Sequence, residues 1–370
     1  MSDYSTDPTW ADVTPIPLDD GTGYYADGDT TASGDSGSFS KPILPLAQIT
    51  LTKEYAEATS YLRALQMKNE MSERALALTA HIILLSPSHY TVWRYRSNIL
   101  EALKKDLNEE IAWIDKIAPK LLKNYQIWHH RQVVLSDRKS FPTMPPGEHD
   151  FLVKILHLDS KNYHVWVYRH WLVRHFELWD SPREIQDVEF LINDDVQNNS
   201  AWNHRWMLKF GPRGTVDSGL PNVTRNTTAD AGWGKLEVVD EELVDAEIKY
   251  AQEKVVLAPE NRSPWAYMRG VLRVSGRPLG DLKQFAQKFV MEELHDDGAT
   301  KEVQVKSSLA LEWLADVFTE EAQAQTVMAD AEQKKSDATR MLTLLKEKYD
   351  PIRKNYWDYK IHNLNKLIAP

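Results

Sequence analysis

From about Glu54 onward, apolar residues recur along most of the chain at helical spacing. In ERALALTAHIILLSP, Ala75, Leu78, Ile82 and Leu85 lie three or four residues apart, which sets them on one helix face, and Pro87 follows as a stop signal. EHDFLVKILHLD from Glu148 and REIQDVEFLIND from Arg183 carry the same amphipathic pattern. A charged, Ala-rich stretch from Glu320 to Lys348 predicts one more helix, ended by Tyr349-Asp350-Pro351. Two stretches lack any such pattern. Residues 19–40, rich in Asp, Gly, Ser and Thr, cannot bury enough apolar surface to offset their ordering entropy and are expected to be flexible. Gly211–Asp240, rich in Gly, Pro, Thr and Asn, reads as a long inserted loop.

The pattern also repeats at long range. Trp93, Trp128, Trp166 and Trp202 are separated by 35, 38 and 36 residues, and the text around them recurs: HYTVWRYRSNIL, NYQIWHHRQVVL, NYHVWVYRHWLV and NNSAWNHRWMLK. Arg96, Arg131, Arg169 and Arg205 each stand three residues after the Trp, and Tyr90, Tyr125 and Tyr163 three before. A looser copy surrounds Trp265, with Arg269 slipped by one place, and a degenerate one begins at Asn355. Positions −3, 0, +3 and +7 predict one helical stripe of Tyr, Trp, Arg and an aliphatic residue. Each copy follows another amphipathic segment, so one period is two antiparallel helices. The expected fold is all-α: a right-handed α-α superhelix, or solenoid, of tandem helix hairpins whose second helices line the concave surface. Residues 1–50 form an N-terminal extension in this scheme, and 51–370 one repeat domain with the loop 211–240 inserted. That insertion accounts for the longer step of 63 residues from Trp202 to Trp265.

Composition narrows the chemistry. There is no Cys, so this chain supplies no disulfide, thiol nucleophile or thiolate zinc ligand. A net charge of −10 argues against a general nucleic-acid partner. The opening MSDYSTDPTW resembles no signal peptide, and no apolar run is long enough for a membrane span, which points to the cytoplasm. The sequons at Asn222 and Asn226 then carry no weight.

His129, His130, His164, His170 and His175 cluster in two copies, but their spacing matches no His-pair metal motif. Hydrogen-bonded helix contacts are the expected role, and no metal site is assigned to this chain. No phosphate loop or nucleophile elbow occurs either. The segments Lys123-Asn124-Tyr125-Gln126 and Lys161-Asn162-Tyr163-His164 are more informative. Each places a Lys and several donors at a helix start, where unpaired backbone N–H groups favour an anion. Capping is the expected role of Asn162 and Asn198. Packing and hydrogen bonding between repeats are expected of the signature residues Trp93, Trp128, Arg131, Trp166, Arg169, Trp202, Arg205 and Trp265.

These copies resemble the repeats of protein prenyltransferase α subunits, and KNYQIWHHR at Lys123–Arg131 carries the resemblance most strongly. Ala11–Gly21, ADVTPIPLDDG, resembles the opening segment of the α subunit shared by farnesyltransferase and type I geranylgeranyltransferase. His89 in place of the usual Asn, the 211–240 insertion and the acidic linker depart from that pattern. The resemblance implies a heterodimer with a β subunit that holds the zinc, with magnesium as a further expectation at the diphosphate. The implied substrates are farnesyl or geranylgeranyl diphosphate and proteins ending in a Cys-a-a-X sequence. It implies Lys123 at the leaving diphosphate, Tyr125, Tyr163 and His164 at the edge of that site, and Gln126 at the protein substrate's C-terminal carboxylate. Lys123 and Gln126, three apart, are expected on one helix face. A non-catalytic repeat scaffold binding a peptide or partner is the alternative reading, and the charged tetrad at Lys123 argues against it.

Overall fold

A computed structural model describes residues 4–18, 50–211, 240–293, 302–325 and 327–367. The flexible segment expected at 19–40 and nearly all of the loop expected at 211–240 lie outside them. The chain divides into two compact units, Met1–Glu177 and Leu178–Pro370. The division falls between the third and fourth Trp copies.

The first unit is built of α1 (Lys53–Met67), α2 (Glu73–Leu85), α3 (Tyr90–Ala102), α4 (Leu107–Ile117), α5 (Tyr125–Leu135), α6 (Glu148–Leu158) and α7 (Tyr163–His175). Helices α2 and α3, α4 and α5, and α6 and α7 pack as pairs, and the second helices α3, α5 and α7 lie side by side. The second unit continues the pairing with α8 (Pro182–Asp194) and α9 (Asn199–Phe210), then α10 (Glu241–Leu257) and α11 (Arg262–Ser275). Gly270 lets α11 approach α9 closely, since a Cβ there would stand 2.9 Å from the Trp206 ring. Beyond it come α12 (Lys283–Gln287), a two-stranded antiparallel hairpin of β1 (Val290–Glu293) and β2 (Glu302–Val305), and α13 (Ser308–Ala324), α14 (Met328–Leu344) and α15 (Lys354–Leu367). The all-α expectation holds, with that short hairpin as an addition. The single tail helix expected over Glu320–Lys348 is corrected: two helices, α13 and α14, pack against each other there.

The N-terminal extension is also not uniform. Tyr4, Trp10 and Val13 are buried, the Trp10 ring meeting Tyr4 and Tyr61 edge-on. Arg74 clamps the segment from α2 by donating to the Asp12 carboxylate and the Thr9 carbonyl. The guanidinium beside it lowers the Asp12 carboxyl to about 2.

Each hairpin turn is tied in one way. The indole N–H of Trp93, Trp128, Trp166, Trp202 and Trp265 donates to the carbonyl six residues earlier, at 2.8–3.1 Å. All five rings are buried. Asn124, Asn162, Asn198 and Asn261 accept from the first backbone N–H groups of the helices they precede. His89 makes no such cap and instead hydrogen-bonds with the Tyr55 hydroxyl. Asn162 also donates to the Leu122 carbonyl, and Asn261 to that of Val196, so these caps join successive pairs through an oxygen that already receives a Trp N–H.

The pairs are joined internally by buried charges. Arg96 holds Glu110 with a two-pronged fork at 2.7 and 2.6 Å, Arg131 holds Glu148 at 2.9 and 2.6 Å, and Arg205 holds Glu247 at 2.6 and 2.8 Å. Three residues past each Glu, an aromatic ring lies under the guanidinium: Trp113 at 3.9 Å, Phe151 at 3.9 Å and Tyr250 at 3.7 Å. A side chain twenty residues past the Glu completes each group, through His130, Tyr168 and Tyr267. Burial alone would lower the Arg131 guanidinium, but Glu148 keeps it above its ordinary value. Burial disfavours the Glu110 carboxylate, yet hydrogen bonds from His130 and Arg96 outweigh that and lower it. Burial also lowers the His130 imidazole, against the pull of Glu110. In the looser copy, Met268 takes the buried place at +3, and Arg269 pairs with Asp316 on α13 instead.

Candidate functional site

The starts of α3, α5 and α7 share one edge of the first unit, because those helices pack side by side. A helix start carries backbone N–H groups without helical partners and the positive end of the helix dipole. Capping by Asn124 and Asn162 satisfies some of those groups and fixes where each helix begins. The residues next to the caps are therefore held at fixed places on the edge.

Lys123 is exposed on the turn before Asn124, with no ion-pair or hydrogen-bond partner among the described residues. It stands outside the helix, so the expectation that it shares a helix face with Gln126 is corrected: the cap intervenes and α5 begins at Tyr125. Tyr125 is half exposed, its ring stacked on His129 one turn later at 6.1 Å and meeting His164 edge-on at 6.2 Å. His164 in turn meets Tyr163 edge-on at 5.6 Å. Three of the five expected site residues thus form one aromatic cluster across α5 and α7. Gln126 lines a cavity of about 510 Å³ between α3 and α5, whose walls include Tyr90, Arg94, Asn98 and His129.

The predicted stripe of Tyr, Trp and Arg needs correction as well. Tyr90, Tyr125 and Tyr163 are 71%, 50% and 66% exposed, while the Trp and Arg that follow are buried. Each Tyr is the first residue of its helix, at the open end where no preceding turn covers it. The Trp and Arg positions face inward and form the ties described above; Arg169 is buried 5.9 Å from the Trp166 ring centre. An anion-friendly helix start, an exposed cation, and aromatic and amide groups on one edge suit recognition of a phosphorylated or carboxylated ligand.

The Glu partners were not anticipated, although a signal for them exists. Glu110, Glu148, Glu184 and Glu247 each stand eighteen residues before a signature Trp. Glu184 accepts from the buried His204 at 2.8 Å, as Glu110 does from His130.

Fold and edge together define a helical-repeat protein with a charged, aromatic rim at its second helices. The profile described as "Protein prenyltransferase alpha subunit repeat" matches residues 72–103, 107–137, 145–176 and 181–208, which are the four helix pairs from α2 to α9. The Candida albicans protein farnesyltransferase/geranylgeranyltransferase type-1 subunit alpha is 35% identical over 326 residues, covering 87% of this chain and 93% of its own. The pea protein of the same name is 32% identical over 368 residues, covering 95% and 92%. A chain of Candida albicans protein geranylgeranyltransferase-I complexed with GGPP superposes with a TM-score of 0.73 at 32% identity, covering 96% of this chain and 98% of that one. The chain belongs to the protein prenyltransferase α-subunit family.

Proposed function

We propose that this chain is the α subunit of a cytoplasmic heterodimeric CaaX prenyltransferase, completed by a β subunit of the farnesyl or type I geranylgeranyl kind. The observation that carries this reading is the set Lys123, Tyr125, Gln126, Tyr163 and His164 on the edge formed by α5 and α7. None of these side chains is needed to close the repeat interior. In the reaction, the substrate Cys thiol gives up its proton to solvent, its sulfur bonds to C1 of the isoprenoid diphosphate, the C1–O bond breaks, and diphosphate leaves with the electron pair. In this reading Lys123 supplies the positive charge that stabilises the departing oxygen, an effect that grows in the transition state. Tyr125, Tyr163 and His164 border the diphosphate, and Gln126 engages the terminal carboxylate of the protein substrate.

Zinc belongs to the partner in this reading. The present chain has no Cys, and its described residues bring no three His, Asp or Glu side chains together as a site. Leu84 and Leu158, exposed at the ends of α2 and α6, and Tyr90 and Tyr163, exposed at the starts of the helices that follow, are apolar surface suited to a partner. The test is reconstitution. Co-expressed with a farnesyl or type I geranylgeranyl β subunit, the chain should co-purify and transfer the isoprenoid to a CaaX peptide, and each chain alone should be inactive. Turnover by this chain alone, or failure to bind either β subunit, would overturn the proposal.

A further inference from the structure

The cavity between α3 and α5 offers more than the amide of Gln126. Arg94 follows Tyr90 by four residues and so stands one turn further along the same face of α3, lining the same cavity. It is exposed and has no ion-pair or hydrogen-bond partner among the described residues. Arg96, Arg131, Arg205 and Arg269, also on second helices, all hold carboxylates. Glu101 is the one acid among the cavity's lining residues. Seven residues on, it is about 10 Å further along the helix axis, a separation at which salt screens most of its effect. On the opposite wall, Nδ1 of His129 is buried without a hydrogen-bond partner among the described residues. An unpaired guanidinium, an amide and an unmatched ring nitrogen therefore share one partly enclosed space.

We propose that Arg94 is a further substrate-binding residue, pairing with the C-terminal carboxylate of the protein substrate beside Gln126. This rests on the reading of Gln126 given above and deepens it. A carboxylate met only by a neutral amide keeps its charge uncompensated as water is excluded, which costs free energy. A guanidinium offers parallel N–H donors in the geometry of a carboxylate, and such charge-assisted bonds are the strong ones. His129 can donate a neutral hydrogen bond in the tautomer whose N–H faces the carboxylate.

The experiment uses the heterodimer and two peptides alike except that one ends in a carboxylate and the other in a carboxamide. The readout is the ratio of kcat/KM for acid over amide, in which any loss of folded enzyme cancels. Arg94→Ala should lower that ratio about tenfold, as expected for one charge-assisted hydrogen bond. The change should come through KM, with isoprenoid diphosphate affinity unchanged. A ratio that stays put in Arg94→Ala but falls in Gln126→Ala would overturn this inference and leave the reading of Gln126 standing. A ratio unmoved by either substitution would remove both. Weakened isoprenoid diphosphate binding with an unchanged ratio would move Arg94 to the diphosphate and likewise overturn the inference.

Discussion

The α4–α7 region of the first unit and the α9–α11 region of the second are alike inside and different at the edge. Arg131 and Arg205 each hold a buried Glu with a fork, rest on an aromatic ring and share that Glu with a Tyr hydroxyl. At the helix starts the likeness ends. Helices α5 and α7 begin Tyr125-Gln126 and Tyr163-His164, whereas α9 and α11 begin Asn199-Ser200 and Arg262-Ser263. The interior repeats because each pair must satisfy the same buried charge by the same geometry. No such demand acts on the rim. Exposed aromatic rings and an unpaired Lys contribute little to folding there, which fits the proposal that this edge serves a ligand.

The sharpest way to test the shared interior is to break it in both units. Arg131→Ala leaves Glu148 and Tyr168 buried with a charge uncompensated, which typically costs ~3–5 kcal/mol. Arg205→Ala should cost about as much, although its Glu lies 42 residues away rather than 17. Denaturant unfolding of the purified heterodimer would measure both. A loss under ~1 kcal/mol in either would show that the fork is dispensable there.

At the edge the comparison should be lopsided. Lys123→Ala should slow single-turnover transfer by about tenfold to a hundredfold, or ~1.4–2.7 kcal/mol in the barrier, with a much smaller change in isoprenoid diphosphate affinity. Gln197, exposed at the matching place before the cap of α9, should tolerate Ala with no change in rate. Equal effects at the two positions would mean that the edge acts through stability rather than chemistry.

Acid should expose a weaker difference between the ties. In the unfolded chain His130 and Glu110 titrate near their ordinary 6.5 and 4.5, and in the folded chain both are lowered. As pH falls below about 6.5 the unfolded chain therefore binds a proton that the folded chain refuses, and below about 4.5 a second. The contribution of these two groups is fully present above pH 6.5 and declines as pH falls. The tie of Arg131, Glu148 and Tyr168 contains no imidazole, and burial raises the Tyr168 hydroxyl well out of that range. His130→Gln, which can still donate to Glu110, should flatten the decline between pH 7 and 5 in melting curves. An equally steep decline in the variant would assign the acid sensitivity elsewhere.

How much of this was legible depended on what each feature leaves in the sequence. The Trp and Asn positions recur at nearly constant spacing because they tie turns of nearly constant length, and they announce the hairpins and the family. The Glu partners are harder to see from the Arg, since the connection between pairs varies and the separation runs from 14 to 42 residues. Counted from the Trp of its own pair, the separation is fixed at eighteen. Docking of Tyr4, Trp10 and Val13 leaves no periodic trace, being made by a short segment whose only helix is the single 3-10 turn Pro8–Trp10. The tail misled because charged, Ala-rich sequence runs from α13 into α14 with neither Gly nor Pro between them. Periodicity puts the exposed Tyr residues on one stripe with the buried Trp and Arg because it treats the first helical residue like any other. Arg94 lies inside one of the repeat copies, and only the cavity distinguishes it from a solvated arginine.

The finest distinction lies between two caps in the same unit. Asn124 accepts from the Ile127 N–H and makes no other side-chain bond among those resolved, whereas Asn162 accepts from His164 and Val165 and also donates to the Leu122 carbonyl. Removing a cap costs typically ~1 kcal/mol. Asn162 is buried as well, and truncating it takes one hydrogen bond from the Leu122 oxygen, which then keeps only the Trp128 N–H. Asn162→Ala should therefore cost about 1 kcal/mol more than Asn124→Ala, the net worth of one further buried hydrogen bond. Replacement by Asp keeps the cap but removes the donor to the Leu122 carbonyl, and at 162 it also removes the bond to Asp159 and sets a second carboxylate beside it. Asn124→Asp should be nearly silent and Asn162→Asp should keep most of the deficit, as read from paired unfolding curves. Equal losses at the two positions would mean that the bond between repeats contributes nothing and that both residues act as caps alone.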